Sequence, residues 1–254
     1  IHSPFPEEFN RQITSRIANF HFAPTKIARQ NLLNEKVLDS QIYLTGNTVI
    51  DALLSMLEKA RTVAFSDILL KKIPFLKQGK IDTPRIILVT GHRRENFGTG
   101  IEEICQALSV IANDNPDIQI IYPVHLNPNV MEPVNRVLSN LNNVYLIEPL
   151  EYLPFIKLMD LSYLILTDSG GVQEEAPSLG KPVLVMRDVT ERPEAVESGT
   201  VKLVGTNKNE IVTMVKQLLT DNDFYMQMSK AHNPYGDGSA SGIICDILID
   251  RGRM

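Results

Sequence analysis

The sequence predicts an α/β protein built on a parallel sheet. Short β-branched runs recur along the chain, each near strand length and almost continuously apolar. That is the pattern of parallel strands buried on both faces. Amphipathic stretches lie between these runs, and a regular strand–helix succession implies right-handed crossovers. With 254 residues, 43% of them hydrophobic, the chain can form one large domain or two small ones.

In order, Glu7 to Ala18 reads as a helix, Phe20-His-Phe22 as a strand, and Thr25 to Glu35 as a helix opening after Pro24. Gln41-Ile-Tyr-Leu-Thr45 is a further strand, and Gly46-Asn47 leads into a long helix from Thr48 to about Ala64. Two strands with their helices do not make a stable sheet alone. The Lys71 to Asp82 stretch, rich in Lys, Gly and Pro, reads as a surface connection. Beyond it the strand runs are Ile86 to Thr90, Ile118 to Tyr122, Val144 to Ile147, Tyr163 to Thr167, Pro182 to Met186 and Val201 to Val204. Helical patterns fill the intervals at Ile101 to Asn113, Pro128 to Leu141, Tyr152 to Asp160 and Val172 to Leu179. Tyr235-Gly-Asp-Gly238 is a turn before a last helix, Ser239 to Asp250, whose Ile243, Ile244, Ile247 and Leu248 give it an apolar stripe for docking. Residues 1 to 47 therefore read as the tail of one α/β domain, and about 85 to 235 as a whole second one.

Several function classes are excluded by composition. No run reaches the roughly 18–20 apolar residues of a membrane span, and no secretory apolar segment opens the sequence. A net charge of −5 without blocks of like charge argues against a nucleic-acid surface. Cys105 and Cys245 form neither a disulfide framework nor a zinc pattern, so the default compartment is the reducing cytoplasm. No His, Cys or Asp pair has metal-ligand spacing on one element, so no metal is expected. Ser169 lies outside a Gly-x-Ser-x-Gly turn, which disfavours a serine nucleophile.

In a parallel sheet, functional groups gather beyond the carboxyl ends of the strands. Two such loops stand out: Gly91-His-Arg-Arg-Glu-Asn-Phe-Gly98 and Asp168-Ser-Gly-Gly-Val-Gln-Glu-Glu175. In the second, Ser169-Gly170-Gly171 precedes a helix, and glycines let its free N–H groups approach a phosphate. Glu174 and Glu175 would then accept bonds from ribose hydroxyls. The same segment also reads as a Ser cap followed by acids that complement the helix dipole. His92, Arg93 and Arg94 suit a diphosphate, or form an ordinary surface loop. His125, after another strand, lies on the same edge. Arg192 in Thr190-Glu-Arg-Pro-Glu194 either bridges a phosphate or pairs with Glu194. Glu7 and Glu8 are either general acid/base groups or first-turn helix acids.

Seven motifs occur in order: Ser3-Pro-Phe-Pro-Glu-Glu8, Thr45-Gly-Asn-Thr-Val-Ile-Asp51, Gly91-His-Arg-Arg-Glu-Asn96, Tyr122-Pro-Val-His-Leu-Asn-Pro128, Thr167-Asp-Ser-Gly-Gly-Val-Gln-Glu-Glu-Ala-Pro177, Thr190-Glu-Arg-Pro-Glu194 and Asn233-Pro-Tyr-Gly-Asp-Gly238. Together they resemble the bacterial non-hydrolysing UDP-N-acetylglucosamine 2-epimerases. The resemblance implies a glycosyltransferase-B type fold, with two Rossmann-like parallel sheets carrying helices on both faces. In that frame residues 1–47 close the N-terminal domain, 48–235 form a linker helix and the UDP-binding domain, and 236–254 pack back on the first domain. It further implies a homodimer that converts UDP-GlcNAc to UDP-ManNAc through 2-acetamidoglucal, with no cofactor, for cell-surface polysaccharide synthesis.

By the same resemblance, His92, Phe155, Ser169, Gly170, Gly171, Glu175 and Arg192 bind UDP. Glu7 and His92 are catalytic, and Arg93 and His125 touch the sugar nucleotide or a second, regulatory one. Leu150 departs from a Gln frequent in the family and would cost a hydrogen bond to uracil. Family members also carry Gly-Thr-Arg-Pro-Glu, Gly-Asp-Thr and His-Val-Glu-Ala-Gly-Leu-Arg segments holding other catalytic acids, which this sequence lacks. The expectation is a chain starting near the end of the first domain, which binds UDP weakly and does not epimerise by itself. A glycosyltransferase of the same fold and a hydrolysing epimerase are the alternative readings.

Overall fold

In the computed structural model, which describes residues 6–77 and 84–252, six strands form one all-parallel sheet. They are β3 (Ile86–Thr90), β4 (Gln119–Pro123), β5 (Val144–Ile147), β6 (Leu164–Thr167), β7 (Val183–Val185) and β8 (Val201–Leu203), in the order β5-β4-β3-β6-β7-β8. Each expected run beyond Arg85 is a strand, with ends that differ by at most one residue. This sheet belongs to a unit spanning Leu53–Asn233; a second unit takes the chain up to Ala52 and again from Pro234.

Both faces of the large sheet are covered, which is why its strands read as continuous apolar runs. Side chains alternate between faces along a strand. Ile87, Val89, Ile120, Tyr122, Leu164 and Leu166 point to one face and pack with α5 (Thr99–Asp114), α6 (Pro128–Leu138) and α10 (Lys208–Thr220). Ile86, Leu88, Ile121 and Ile165 alternate with them and are equally buried, on the face where α7 (Tyr152–Leu161) meets β3. The order reverses between β3 and β6: β4 and β5 extend one way, β7 and β8 the other. That reversal opens the crevice where α/β sheets bind ligands.

Several helices differ from expectation. The Lys71 to Asp82 stretch is not simply a surface connection. Following α4 (Asp67–Lys72), a 3-10 turn runs over Pro74–Lys77, with Ile73 and Leu76 buried. Residues 78–83 of that stretch lie outside the described residues, as do Ser3, Pro4 and Phe5 of the first motif. Unforeseen α10 buries Ile211, Met214, Val215 and Leu218, a helical spacing present in the sequence, and Asn207 caps it by accepting from Asn209 and Glu210 N–H groups. α9 (Pro193–Glu197) and α11 (Asn222–Ser229) complete the unit.

In the other unit, α1 (Glu7–Ile17), β1 (His21–Ala23), α2 (Lys26–Asn34) and β2 (Ile42–Leu44) follow the expected order, and β1 pairs β2 in parallel. Thr25 caps α2 through Ala28 N–H. The unit boundary falls within α3 (Thr48–Thr62). α12 (Ala240–Gly252) is tied to this unit where Ser241 N–H donates to Asp51 at 2.7 Å and Arg251 donates to Tyr43 at 3.2 Å. Its apolar stripe is only partly used: Ile244 and Ile247 are half-buried, while Ile243 and Leu248 stay exposed.

Candidate active site

The two conspicuous loops spring from adjacent strands. β3 and β6 run in register from Ile87↔Leu164 to Thr90↔Thr167, and the hydroxyls of Thr90 and Thr167 meet at 2.6 Å. Asp168, the first residue past β6, is 1% exposed and reaches across to the β3 loop. Its Oδ2 accepts from the backbone N–H groups of His92 and Arg93, each at 2.8 Å, and from Asn96 Nδ2 at 3.3 Å. Asn96 also donates to the Met186 carbonyl at the end of β7. Buried carboxylates demand such partners, and these fix the loop to the sheet.

Gly91 has to be small. A Cβ there would lie 2.9 Å from the Tyr122 hydroxyl, which donates to the Gly91 carbonyl at 3.2 Å. Burial pushes the Tyr122 hydroxyl far above the ordinary tyrosine range, so it remains a protonated donor.

Past Asp168 the chain turns into α8 (Gly170–Glu175), a short helix that continues as a 3-10 turn over Ala176–Leu179. The helix thus starts two residues earlier than expected. Pro177 lacks the N–H that would extend the α pattern, which explains the change of type. Ser169 occupies the N-cap position, but its side chain makes no capping bond. The Ser-cap reading of this segment therefore holds for position and fails for the capping bond. Gly170 faces two cations: a Cβ there would sit 3.6 Å from Arg93 Nη2 and 3.7 Å from Arg192 Nη2. Gly171 is exposed.

Arg192 donates from Nε to Glu174, a nearly buried carboxylate, and its backbone N–H donates to Thr190, which in turn donates to Gln173 at 2.7 Å. Asn233 Nδ2 donates to the Glu174 carbonyl at 2.8 Å. Arg93 pairs with Glu191 at 2.9 Å, and Glu191 also takes the buried Arg187, whose Nε holds Glu95 at 2.6 Å. This chain of charges ties the β3 loop to the β7 loop.

Glu175 is buried rather than open to solvent. Burial raises its carboxyl above the usual range, the adjacent Glu174 adds to that, and a hydrogen bond from Tyr152 at 3.1 Å opposes it. Tyr152 itself is pushed up to about 12 by burial and by Glu175.

A cavity of about 250 Å³ lies at this edge, lined by His92, His125, Phe155 and Ser169 together with Thr90, Gly91, Pro123, Pro149, Leu150 and Val172. The His92 and His125 rings stack with centroids 5.8 Å apart. His125 Nδ1 accepts from Asn127 N–H at 3.1 Å, so a neutral His125 carries its proton on Nε2. Leu150 does line this cavity, beside Phe155.

The structure therefore gathers His92, His125, Phe155 and Ser169 around one cavity, with Gly170, Arg93 and Arg192 at the adjoining turn. Glu175 meets Tyr152 on α7. Glu7 belongs to the other unit, as the exposed first residue of α1. Its neighbour Glu8 is held at about 2 by hydrogen bonds from Arg11 and Gln12. Asp168 and Asn96 were missed as functional residues, although both lie inside the quoted motifs. An acid placed directly after a buried strand was the available signal.

The family model described as UDP-N-acetylglucosamine 2-epimerase matches residues 1–249. A protein of that name from Escherichia coli O157:H7 is 60% identical over 252 residues, covering 98% of this chain and 65% of the relative. A crystal structure of UDP-GlcNAc 2-epimerase from Neisseria meningitidis bound to UDP-GlcNAc superposes with a TM-score of 0.87 at 48% identity, covering 98% of this chain and 66% of that one. The Methanocaldococcus jannaschii enzyme in complex with UDP-GlcNAc and UDP matches at a TM-score of 0.74 and 34% identity, over 96% of this chain and 64% of that one. The chain thus spans about two thirds of the length of these relatives.

Proposed function

The chain belongs to the UDP-N-acetylglucosamine 2-epimerase family, and from that premise we propose that the protein interconverts UDP-GlcNAc and UDP-ManNAc, its larger unit holding the uridine diphosphate. The observation that carries this reading is the turn at Gly170, where two guanidinium groups meet the first residue of α8 beside the His92 cavity. Guanidinium groups bind phosphate oxygens through paired, charge-assisted hydrogen bonds.

In this reading residues 48–235 form the UDP-binding domain, and 1–47 with the terminal helix belong to its Rossmann-like partner domain. Phe155 lies beside the uracil, Glu175 faces the ribose, and Ser169, Gly170, Gly171, His92 and Arg192 hold the diphosphate. Leu150 offers the base no side-chain hydrogen bond, leaving its polar edge to backbone groups. A carboxylate takes the C2 proton while the C1–O bond breaks and UDP departs, giving 2-acetamidoglucal. UDP then adds back to C1 as a proton reaches the opposite face of C2. Glu7 is one acid/base group for these steps. The cations around Gly170 stabilise the charge that grows on the departing diphosphate, where fixed donors contribute most to rate. Arg93 and His125 contact the sugar nucleotide or a second, regulatory copy of it. The non-hydrolysing course, a homodimer and a cytoplasmic location complete the proposal.

Calorimetry with UDP tests the binding assignment. Arg192→Ala should weaken UDP by about ten- to a hundredfold, the weight of a charge-assisted contact. His92→Ala should also weaken it, while Glu7→Ala leaves the affinity unchanged. Equal losses for all three would refute this division of roles. For the reaction, UDP-GlcNAc incubated in deuterated water with a full-length protein containing this chain should return UDP-sugar labelled at C2, whereas the 254-residue chain by itself should return it unlabelled. Free N-acetylmannosamine would indicate hydrolysis instead.

A further inference from the structure

Asp168 holds more than the loop. Its Oδ2 is fully engaged by the two backbone N–H groups and by Asn96, but its Oδ1 is buried and has no hydrogen-bond partner among the described residues. A buried carboxylate oxygen left unpaired is costly and calls for an explanation. The nitrogen it faces is Nδ1 of His92, 3.4 Å away. That separation is longer than a formed bond, and hydrogen bonds that orient functional histidines commonly tighten only when a ligand closes the site.

We propose that Asp168 is a positioning residue for His92: its Oδ1 keeps a proton on His92 Nδ1 and so presents Nε2 to the ligand. This rests on the reading of the cavity as a diphosphate site. A carboxylate accepts only, so the nitrogen facing it has to donate. The ring's other nitrogen then faces away from Asp168. In the neutral ring Nε2 accepts from a hydroxyl. In the cationic ring it donates to a phosphate oxygen, and the Asp168 carboxylate stabilises that charge. Both states use one ring orientation. His125, stacked on the same ring with its own Nδ1 occupied by Asn127, carries the opposite tautomer. The pair therefore offers a ligand two imidazoles of distinct hydrogen-bonding character.

Asp168→Asn separates positioning from scaffolding. The amide oxygen can still accept the His92 and Arg93 N–H groups, so its NH₂ must face His92 Nδ1 and donate to it. Such a swap preserves geometry and inverts the tautomer of the adjoining histidine. Long-range proton–nitrogen correlation spectra at mildly alkaline pH should show Nδ1–H for His92 in the unaltered chain and Nε2–H in Asp168→Asn. Calorimetry should show Asp168→Asn weakening UDP about tenfold, with no further loss when introduced into His92→Gln.

An Nε2–H tautomer in the unaltered chain would overturn the proposal. So would an equal loss of UDP affinity in the His92→Gln background, because Asp168 would then act through the loop alone. If Asp168→Asn fails to fold, the tautomer of the unaltered chain still decides. Failure of the chain to bind UDP would overturn the functional reading, while the spectra would still decide the role of Asp168.

Discussion

The two parallel sheets of this protein follow the same local rules and end in different states. The six-stranded sheet buries both faces: Ile86, Ile87, Leu88 and Val89 are each 0% exposed along one strand. The two-stranded sheet of β1 and β2 leaves Leu44 at 47% exposure, and Phe20, just before β1, stands at 37%. Beside it α1 repeats apolar residues at Phe9, Ile13 and Ile17, a helical stripe, yet buries none of them. A helix gains most of its stability by packing an apolar face, and a parallel sheet needs layers on both sides. The lesson is that pattern alone does not measure stability; the number of layers that meet the pattern does.

The largest expected difference between the regions is in core truncation. Leu166→Ala removes a fully buried side chain from the central strand β6 and should cost about 2–5 kcal/mol in urea unfolding. Ile17→Ser, at a position 76% exposed, should change stability by no more than about 0.5 kcal/mol. Comparable losses would break the contrast.

A smaller effect sharpens it within the larger unit. Gly91→Ala forces a methyl against the Tyr122 hydroxyl and should cost about 1–3 kcal/mol. Adding Tyr122→Phe removes the clashing oxygen and should restore part of the loss. Thermal unfolding of the single and double variants reads this, and an Ala variant as stable as the parent would contradict the packing described.

The smallest effect is electrostatic. For Glu191, burial works to raise the carboxyl, but hydrogen bonds to its own backbone, Arg187 and Arg93 prevail and bring it to about 2 from an ordinary value of 4.5. A depressed carboxyl stabilises the fold above its unfolded value. That contribution is complete above about pH 4.5 and is lost as pH falls towards 2. Glu191→Gln should flatten the dependence of Tm on pH in this window, modestly, because the side chain is 46% exposed and solvent screens it. Glu8 in the other unit is likewise held at about 2, by Arg11 and Gln12, but these partners sit within one turn of a helix that buries none of its residues, so the pairing is local and adds little to the fold. Glu8→Gln should leave the melting profile unchanged, and a larger change there than at Glu191 would reverse the ranking.

Much of the candidate site was legible because it lies in contiguous motifs. His92, Arg93, Ser169 and Gly170 occupy two strand-to-helix loops, and the continuous apolar runs before them marked those strands as parallel. Partners distant in sequence were not legible. Arg192 was weighed against phosphate or Glu194, and its ion pair with Glu174 comes from the fold of a different loop. The sequence places Glu175 in the first turns of its helix, but only the fold brings Tyr152 of α7 against it and buries it. The charged chain from Glu95 through Arg187 and Glu191 to Arg93 joins residues from two loops on different strands, and no spacing rule connects them.

By itself, the sequence determined the class of fold, the direction of the strands and the edge where chemistry gathers. Those follow from local periodicity and from the chirality of the crossover. Tertiary structure alone decided that β3 and β6 would be neighbours at the reversal of strand order, and hence that Asp168 would close on His92 across two loops. Strand order depends on the summed packing of side chains far apart in the chain, and no local pattern contains that sum. The six-stranded sheet predicted at the outset is therefore also the device that brings a buried carboxylate to within 3.4 Å of the imidazole it serves.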